Sequence, residues 1–578
     1  MLRQHWNHWL DRLGLRLARL DAMPQLAMLA IPVGLLSGGV IILFRMLVES
    51  GQGLLLPGGD VEYYEGLPPE LRLALPVAGG LLIGLLWQWL GAGIRQVGII
   101  HVMERLAYHQ GRLPWRNAVA QFIGAALSII SGHSVGREGP SVHLGATSGS
   151  QLGQWLHLPN NTNRTLAACG IAAAIAASFN TPLAGVIFAM EVVMMEYSLV
   201  SFAPIILSAV TATTLTRIVF GDMPVFVIPA TQLGSLMELP YVVLMGIVLG
   251  TLSAMFIRVL ERVTRLTGSW IVWQRFTLAG LCVGLVALAV PEVMGIGYDT
   301  VNHALLGQLG LLLLVSVAIA KLFATAIGLG LGLPGGLIGP TVVIGATTGG
   351  AMGILADGWL PGEIASPAFY ALIGLGTMMG ATLQAPLAAL TAILELTANP
   401  NIILPGMLAL ITAGLVSREV FGMDSVYQVL LRARGLDYHH NPLTQALHRI
   451  GVAGVMERRV ATLPEGANRQ EATAALASEP QWILVNINRH PAWIMPAADL
   501  ARHLAEHEPE ELLPLGDIPA QRREITAIDF TATLMEAQEA LERDKADAAY
   551  VVRRTIPGIE RVYGILTRED IERSYRIE

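Results

Sequence analysis

An ionisable pair stands inside one of the most apolar parts of this chain. Residues 131–149 are SGHSVGREGPSVHLGATSG, so Arg137 and Glu138 are adjacent and are flanked by glycines and a proline. A carboxylate inside a membrane is costly and therefore indicates function. Glycine lets the backbone approach a ligand, and proline in the first turn of a helix gives up no needed N–H. The residues predict a helix start that faces an anion, with Glu138 free to swing; the alternative is a loop in which the two charges neutralise each other.

The composition indicates that this pair belongs to a membrane protein. Hydrophobic residues make up 53% and charged residues 14% of the 578 residues, whereas a typical soluble chain has about 25% charged residues. Charged residues are sparse from about Met23 to Val416 and become ordinary after Arg418. The pattern predicts a multi-pass membrane domain, residues 23–435, followed by a soluble tail, residues 436–578. No basic patch with interleaved aromatic residues indicates nucleic-acid binding.

Residues 1–22 place arginines between tryptophans and leucines, without a convincing small-residue cleavage site. This pattern predicts an amphipathic helix at the membrane surface and not a signal peptide. The arginines favour a cytoplasmic N-terminus. We expect both termini in the cytoplasm and the protein in a bacterial inner membrane.

The membrane domain contains the same two motifs twice. GREGPSVHLGATSG, residues 136–149, recurs 200 residues later as GLIGPTVVIGATTG, residues 336–349. TPLAGVIFAME, residues 181–191, recurs 204 residues later as APLAALTAILE, residues 385–395. The shared order and spacing indicate a duplicated membrane unit of the kind found in transporters, whose discontinuous helices meet near the middle of the bilayer.

The duplication predicts an all-α membrane domain of two inverted repeats with broken helices, about 23–220 and about 240–435. GREGP and GLIGP are the candidate helix starts. Two helix N-termini that converge would offer free backbone N–H groups and positive dipole ends to an anion. Such a site needs no fixed cation, which would hold the ion too tightly for rapid passage.

These motifs resemble those of the CLC family of chloride channels and proton-coupled chloride transporters over about residues 30–430. GREGP matches the family signature, GGLIGP (335–340) its second helix-start motif, GAGIR (91–95) its Gly-Ser-Gly-Ile-Pro segment, and SVYQVLLRARG (425–435) the segment with the pore tyrosine. The resemblance implies the CLC fold and transport of chloride or a similar small anion. It also implies a homodimer in the lipid bilayer with a pore in each subunit.

The resemblance assigns roles to single residues. Glu138 matches the gating glutamate, whose carboxylate occupies or vacates the outer anion site. Tyr427 matches the tyrosine whose hydroxyl contacts the central anion. The other positions that match the anion path are Arg137, Gly139, Leu337, Ile338, Gly339 and Ala92. Arg137 would act on the electrostatics of the outer vestibule or would anchor a loop.

Three positions in these motifs depart from the family pattern. Ala92 replaces a serine, Arg95 replaces a proline, and Ile338 replaces a phenylalanine. Loss of the serine hydroxyl would remove one hydrogen bond, worth about 0.5–1.5 kcal/mol. The selectivity for chloride over other small anions therefore stays open, although we expect backbone amides and Tyr427 to do most of the binding.

A fourth departure concerns mechanism. Val192 stands where coupled family members carry an inner proton glutamate. Because valine cannot carry a proton, this residue favours a passive voltage- or pH-gated chloride channel. The alternative is a proton-coupled antiporter, with Glu138, Glu191 and Glu196 as the proton path.

Four further polar residues have a structural interpretation. Glu191 and Glu395 occupy equivalent positions of the two repeats, and we expect each to accept hydrogen bonds from a neighbouring loop. His133 and His143 flank the GREGP motif, and we expect both to be polar packing residues.

In the tail, a strand, turn, strand, helix pattern occurs twice. The two copies resemble CBS domains at about 451–507 and 520–578, which would pack together as one α/β module. The resemblance implies a site for an adenine nucleotide, with Thr567 and Asp570 contacting the ribose, or a scaffold that binds nothing. Ala497 interrupts the corresponding threonine position of the first copy.

The sequence does not predict an enzyme. An intramembrane enzyme would need a nucleophile with a base or a metal set, and the HExxH motif does not occur. Cys169 and Cys282 lie in apolar surroundings, which indicates packing and neither a disulfide nor a metal site. A cation transporter would use acidic coordination in place of paired helix starts. We therefore expect no required cofactor and no metal.

Overall fold

The computed structural model describes most of the chain, namely residues 17, 23–197, 199–222, 225–229, 232–359, 364–436, 442–507, 513–556 and 559–576. The chain divides into two compact units. The first, which we call the membrane unit, comprises 27–152 and 164–438, and the second, the tail unit, comprises 1–26, 153–163 and 439–578. The amphipathic helix predicted for residues 1–22 lies, except for Leu17, outside the described residues.

The described part of residues 23–436 is built from helices. In chain order they are α1 (Met23–Leu55), α2 (Pro69–Trp89), α3 (Gly98–Tyr108), α4 (Trp115–Ile130), α5 (Glu138–Trp155), α6 (Asn160–Phe179), α7 (Pro182–Phe188), α8 (Leu199–Phe220), α9 (Leu239–Thr267), α10 (Val272–Ala287), α11 (Tyr298–Leu305), α12 (Leu311–Gly330), α13 (Ile338–Trp359), α14 (Pro367–Leu383), α15 (Pro386–Thr397), α16 (Ile403–Leu415) and α17 (Val426–Ala433). Seven helical segments of the described chain are long and apolar enough to cross a membrane. The protein is therefore an integral, multi-pass membrane protein.

Local sequence explains where the short helices begin and end. Proline is the first residue of α7 and of α15, where its missing N–H costs no hydrogen bond. Helix α7 continues as a π-helical turn, Ala189–Met194, and ends at Met195, which has a left-handed conformation with φ 49°. This π-helical turn carries Glu191 and Val192, so it sets the direction of both side chains.

The two repeats pack their helices in the same way. A Cβ atom on Gly145 of α5 would lie 2.2 Å from the carbonyl oxygen of Gly170 on α6. In the second repeat, a Cβ atom on Gly345 of α13 would lie 2.3 Å from the carbonyl oxygen of Gly374 on α14. Only glycine permits such an approach of two backbones. The offsets of 200 and 204 residues seen in the sequence thus recur as equivalent helix contacts.

The tail unit is an α/β module built from two copies of one pattern. Its helices and strands are α18 (Pro442–Arg449), α19 (Val452–Val455), β1 (Val460–Pro464), β2 (Gly466–Ala467), α20 (Arg469–Leu476), β3 (Trp482–Ile487), β4 (His490–Pro496), α21 (Ala497–Glu506), β5 (Leu513–Pro514), β6 (Arg523–Asp529), α22 (Leu534–Arg543), β7 (Ala548–Ile556), β8 (Ile559–Thr567) and α23 (Arg568–Arg576). A six-stranded sheet has the order β1-β3-β4-β6-β7-β8.

Each half of this sheet pairs its first two strands in parallel, β1 with β3 and β6 with β7, and adds an antiparallel third strand. Strands β4 and β6 join the halves through two residue pairs. The duplication predicted for the tail is therefore present in the strand topology.

Candidate functional site

The two glycine- and proline-punctuated helix starts meet at one point. Helix α5 begins at Glu138 and helix α13 at Ile338. The loops before them pair as a short antiparallel bridge, in which the N–H groups of Gly136 and Gly336 each donate to the other residue's carbonyl oxygen at 2.7 Å. The free N–H groups and the positive dipole ends of both helices are thereby brought together, which favours an anion at this place.

The Glu138 carboxylate lies at this meeting point and is fully buried, with 0% exposure. Its Oε2 atom accepts a hydrogen bond from the backbone N–H of Gly339, in the first turn of α13, at 3.1 Å. Its Oε1 atom accepts one from the Tyr298 hydroxyl and lies 3.9 Å from Nε of Arg137. Both carboxylate oxygens therefore have donors, one from the backbone and one from a side chain.

On one side of this point lies a cavity of about 430 Å³ that three arginines line, Arg95, Arg275 and Arg434. We call it the arginine cavity. Tyr427 of α17 also lines it and is only 4% exposed, yet its hydroxyl has no hydrogen-bond partner among the described residues. A buried hydroxyl without a partner is costly, so this one is suited to a ligand in the cavity.

A second cavity, of about 300 Å³, is lined by Glu49, Glu62 and Asp299 together with Arg45, Arg137 and Tyr298. We call it the carboxylate cavity. Glu62, in the loop between α1 and α2, accepts a hydrogen bond from the backbone N–H of Tyr298 at 2.8 Å. Burial, and after it the Asp299 carboxylate, raises the pKa of Glu62 to about 7, while Arg137 opposes the shift.

The chain neighbours of Glu138 line different cavities. Its neighbour Arg137 lines the carboxylate cavity, and its other neighbour Gly139 lines the arginine cavity together with Leu337. Ile338 is buried in the first turn of α13. Glu138 itself lines neither cavity, and its buried side chain is flanked in the chain by residues that line one or the other.

Ala92 lies apart from both cavities. This residue is exposed in the turn at 91–95 and does not line either cavity. Val97, Gly98 and Ile99 at the start of α3 line the arginine cavity instead. The GAGIR segment does not begin a helix. It forms the turn, and two residues, 96 and 97, separate it from the first residue of α3. The missed signal was Gly98, a glycine that opens an amphipathic helix with φ 82°.

Arg95 has a structural task at the edge of the arginine cavity. Its Nε and Nη2 atoms donate to the carbonyl oxygens of Leu90 and Gln88 at 2.8 and 2.9 Å. These carbonyls lie at the C-terminus of α2, where a cation is favoured. Arg95 therefore caps a helix and adds positive charge to the cavity.

Glu191 and Glu395 accept hydrogen bonds from each other's repeat. Glu191 accepts from the backbone N–H groups of Leu387 and Ala388 at 3.2 and 2.6 Å, at the start of α15. Glu395 accepts from those of Leu183 and Ala184 at 2.9 and 2.7 Å, at the start of α7. The structure thus places both carboxylates as helix caps, the arrangement expected from their equivalent positions.

The remaining candidate residues are not part of the meeting point. Val192 is buried and apolar, and Glu196 follows the π-helical turn, where its N–H donates to Met190 at 3.0 Å. His143 contacts His101 with 3.1 Å between ring nitrogens, and His133 contacts Ser131 at 2.9 Å. In the tail unit, Asp570 accepts hydrogen bonds from the N–H and hydroxyl of Thr567 at 3.0 and 2.8 Å. Among the described residues no cluster of metal-ligating side chains is present.

Residues 79–418 match the family model described as voltage gated chloride channel, which covers more than half of the chain. The chain belongs to this family, the CLC family. Its members are channels and transporters and not enzymes, so the intramembrane enzyme considered above is set aside.

Two curated relatives and one solved structure illustrate the likeness. A putative chloride channel protein, ClcB-like, of Ralstonia nicotianae is 36% identical over 64% of this chain and 87% of the relative. The H(+)/Cl(-) exchange transporter ClcA of Vibrio cholerae is 30% identical over 55% of this chain and 69% of the relative. The crystal structure of a slow cyanobacterial Cl-/H+ antiporter superposes with a TM-score of 0.61 at 26% identity, covering 71% of this chain and 98% of that structure.

Proposed function

We propose that this protein carries chloride across the membrane through a pore in each subunit and that Glu138 is the gate. One observation carries the proposal: the buried Glu138 carboxylate accepts a hydrogen bond from the N-terminal turn of α13, and its two chain neighbours each line a different cavity. This is the place where the convergent helix starts favour an anion. Glu138 would act as a tethered anion that competes with chloride for the same position.

A second anion position is proposed in the arginine cavity. The Tyr427 hydroxyl and the N–H groups at the start of α3 would be its donors, since the cavity is lined by Tyr427, Gly98 and Ile99. No side-chain hydroxyl comes from the start of α3, where the lining residue is Val97. The surrounding arginines would raise the local concentration of anions without binding one directly.

Passive conduction is the mode that this chain favours. Val192 is buried and cannot carry a proton, and the Glu191 carboxylate is engaged at the start of α15. Proton-coupled exchange is the second candidate, because relatives at 30% identity are named as exchangers. In that case Glu138, Glu191 and Glu196 would form the proton path.

The test is chloride efflux from liposomes that contain the purified protein, recorded with a simultaneous external pH trace. We expect efflux without proton movement. Proton transport against its own gradient, driven by a chloride gradient, would contradict passive conduction and establish exchange. Absence of both fluxes with chloride, bromide, nitrate and fluoride would overturn the proposed transport itself.

We also propose that the tail unit is a pair of CBS domains with an adenine-nucleotide site near Thr567 and Asp570. Support comes from the duplicated strand topology and from the Thr567–Asp570 contact at the start of α23. Calorimetric titration of the full chain with ATP and AMP tests the site. We expect the wild type to bind a nucleotide and Thr567→Ala to bind it more weakly. If neither nucleotide produces heat on titration, the tail unit is a scaffold that binds no nucleotide.

A homodimer in a bacterial inner membrane, with both termini cytoplasmic, completes the proposal. The bacterial origin of the similar proteins supports this location. Single-molecule subunit counting in liposomes tests the dimer, and labelling of cysteines introduced near each terminus tests the orientation.

A further inference from the structure

Tyr298 is held in place from several directions. It opens α11 directly after Gly297, which has φ 88°. Its ring packs edge-on against Phe226, with 5.1 Å between the ring centroids, and at 6.2 Å against Phe179. The ring therefore contacts aromatic residues from α6 and from the loop after α8, and has little freedom to move.

The polar groups of Tyr298 are aimed at two carboxylates. Its hydroxyl donates to Oε1 of Glu138, and its backbone N–H donates to Glu62 at 2.8 Å. The side chain is only 6% exposed, so water competes little for the hydroxyl. A hydroxyl that donates to an ionised carboxylate makes a stronger hydrogen bond than one between neutral groups.

The two donors to Glu138 differ in kind. Gly339 donates from the backbone of α13, and that N–H would serve a chloride ion as well as a carboxylate. Tyr298 donates from a side chain that its aromatic neighbours hold in place. The acceptor is Oε1 of Glu138, the carboxylate oxygen to which Gly339 does not donate. Among the described residues, Tyr298 is thus the only one whose side-chain hydroxyl donates to the Glu138 carboxylate.

We propose that Tyr298 is the latch of the gate, a positioning residue whose hydroxyl holds the ionised Glu138 carboxylate in the closed position. This inference rests on the proposed role of Glu138. Protonation of Glu138 weakens its competition with chloride, and the carboxyl group then moves out of the anion position. Closing then requires ionisation and re-formation of the Tyr298 hydrogen bond.

Several charged groups surround the latch and are left in place when only the hydroxyl is removed. Arg137 lies 3.9 Å from Oε1 of Glu138, and its guanidinium lies 5.2 Å from the centre of the Tyr298 ring. The other titratable groups around it are Glu62 from the α1–α2 loop, Asp299 from α11, Lys321 from α12 and Tyr427 from α17. Lys321 donates to the carbonyl oxygens of Val293 and Gly295 at 3.0 and 2.9 Å.

The test is the pH profile of chloride efflux from liposomes for the wild type, Tyr298→Phe and Tyr241→Phe. The last is a matched control, because the buried Tyr241 hydroxyl donates to the Met352 carbonyl at 2.7 Å, away from Glu138. We expect Tyr298→Phe to move the midpoint of closing to higher pH by about one unit, with about tenfold more efflux where the wild type is mostly closed. Tyr241→Phe should keep the wild-type midpoint.

A wild-type midpoint in Tyr298→Phe would overturn the latch, as would an equal loss of efflux at every pH. Glu138→Ala separates this failure from failure of the gate. If Glu138 is the gate, efflux through Glu138→Ala no longer depends on pH, and Tyr298→Phe adds no shift in that background. If Glu138→Ala keeps the wild-type profile, the gate itself is wrong and the latch falls with it.

Discussion

At the residue scale, the hydroxyl of Tyr427 is the simplest probe of the arginine cavity. It is buried and has no partner among the described residues, while the rest of the ring packs within α17 and its neighbours. Removing it would cost the protein little internal hydrogen bonding. A change in Tyr427→Phe would therefore report on a ligand.

We expect Tyr427→Phe to bind chloride about two- to tenfold more weakly, because one hydrogen bond to the ion is lost. Calorimetric titration of the detergent-solubilised protein with chloride measures this change. Tyr241→Phe serves as the control for loss of a buried hydroxyl elsewhere. Equal affinities in Tyr427→Phe and the wild type would exclude the hydroxyl as a ligand.

At the element scale, the short helices α7 and α15 depend on each other's repeat. Each begins with a proline, and each has its first free N–H groups satisfied by a glutamate from the other repeat, Glu395 for α7 and Glu191 for α15. A carboxylate at a helix N-terminus both accepts hydrogen bonds and complements the dipole. The pair thus ties the two repeats together within the membrane unit.

If both glutamates are caps, Glu191→Gln and Glu395→Gln should lower stability alike, by about 1–2 kcal/mol each. The amide retains one acceptor oxygen but presents its NH₂ group to the second backbone donor. Thermal inactivation of the detergent-solubilised variants measures the effect, and each variant is the control for the other. Loss of proton movement in Glu191→Gln alone would instead assign Glu191 to a proton path.

At the scale of the whole molecule, the two cavities differ in charge. Three arginines line one, and three carboxylates and two arginines, Arg45 and Arg137, line the other. The field of the arginine cavity favours entry of anions, whereas charges of both signs line the carboxylate cavity. Tyr298 lines the carboxylate cavity and its hydroxyl donates to Glu138, so under the proposed function a change at either residue would affect the passage of anions.

In the tail unit, Arg523 joins the two copies. It lies on β6, donates to Glu569 at the start of α23 at 2.7 Å, and has its guanidinium 5.1 Å from the centre of the Trp482 ring on β3. The hydrogen bond from Arg523 lowers the pKa of Glu569 to about 2. Because the folded-state pKa lies below the ordinary value, the contribution is present above about pH 4.5 and is lost as the pH falls toward 2.

We expect Glu569→Gln to remove this pH-dependent part of the tail's stability, which is about 0–1 kcal/mol since the glutamate is largely exposed. Scanning calorimetry of the full chain in detergent at pH 7 and pH 3 follows the tail transition. Glu506→Gln, at the exposed end of α21, is the control. If the stability of the tail changes between pH 7 and pH 3 as much in Glu569→Gln as in the wild type, the Arg523–Glu569 pair contributes nothing to it.

The sequence by itself determined the features that depend on local pattern and on repetition. The apolar composition predicted a membrane domain, the offsets of 200 and 204 residues predicted its duplication, and GREGP and GLIGP predicted two helix starts. All of these follow from residues close together in the chain, since glycine and proline act on the backbone where they stand.

The tertiary structure alone decided which distant groups meet. A glycine-rich turn and a helix start look alike in sequence, and only the fold showed that Ala92 lies in an exposed turn and that Gly98 begins the helix beside the arginine cavity. Tyr298 was missed because its partner Glu138 lies 160 residues away in the chain. The hydrogen bonds of Glu191 and Glu395 cross between the repeats for the same reason: a buried carboxylate must find donors, and the fold decides which ones lie within reach.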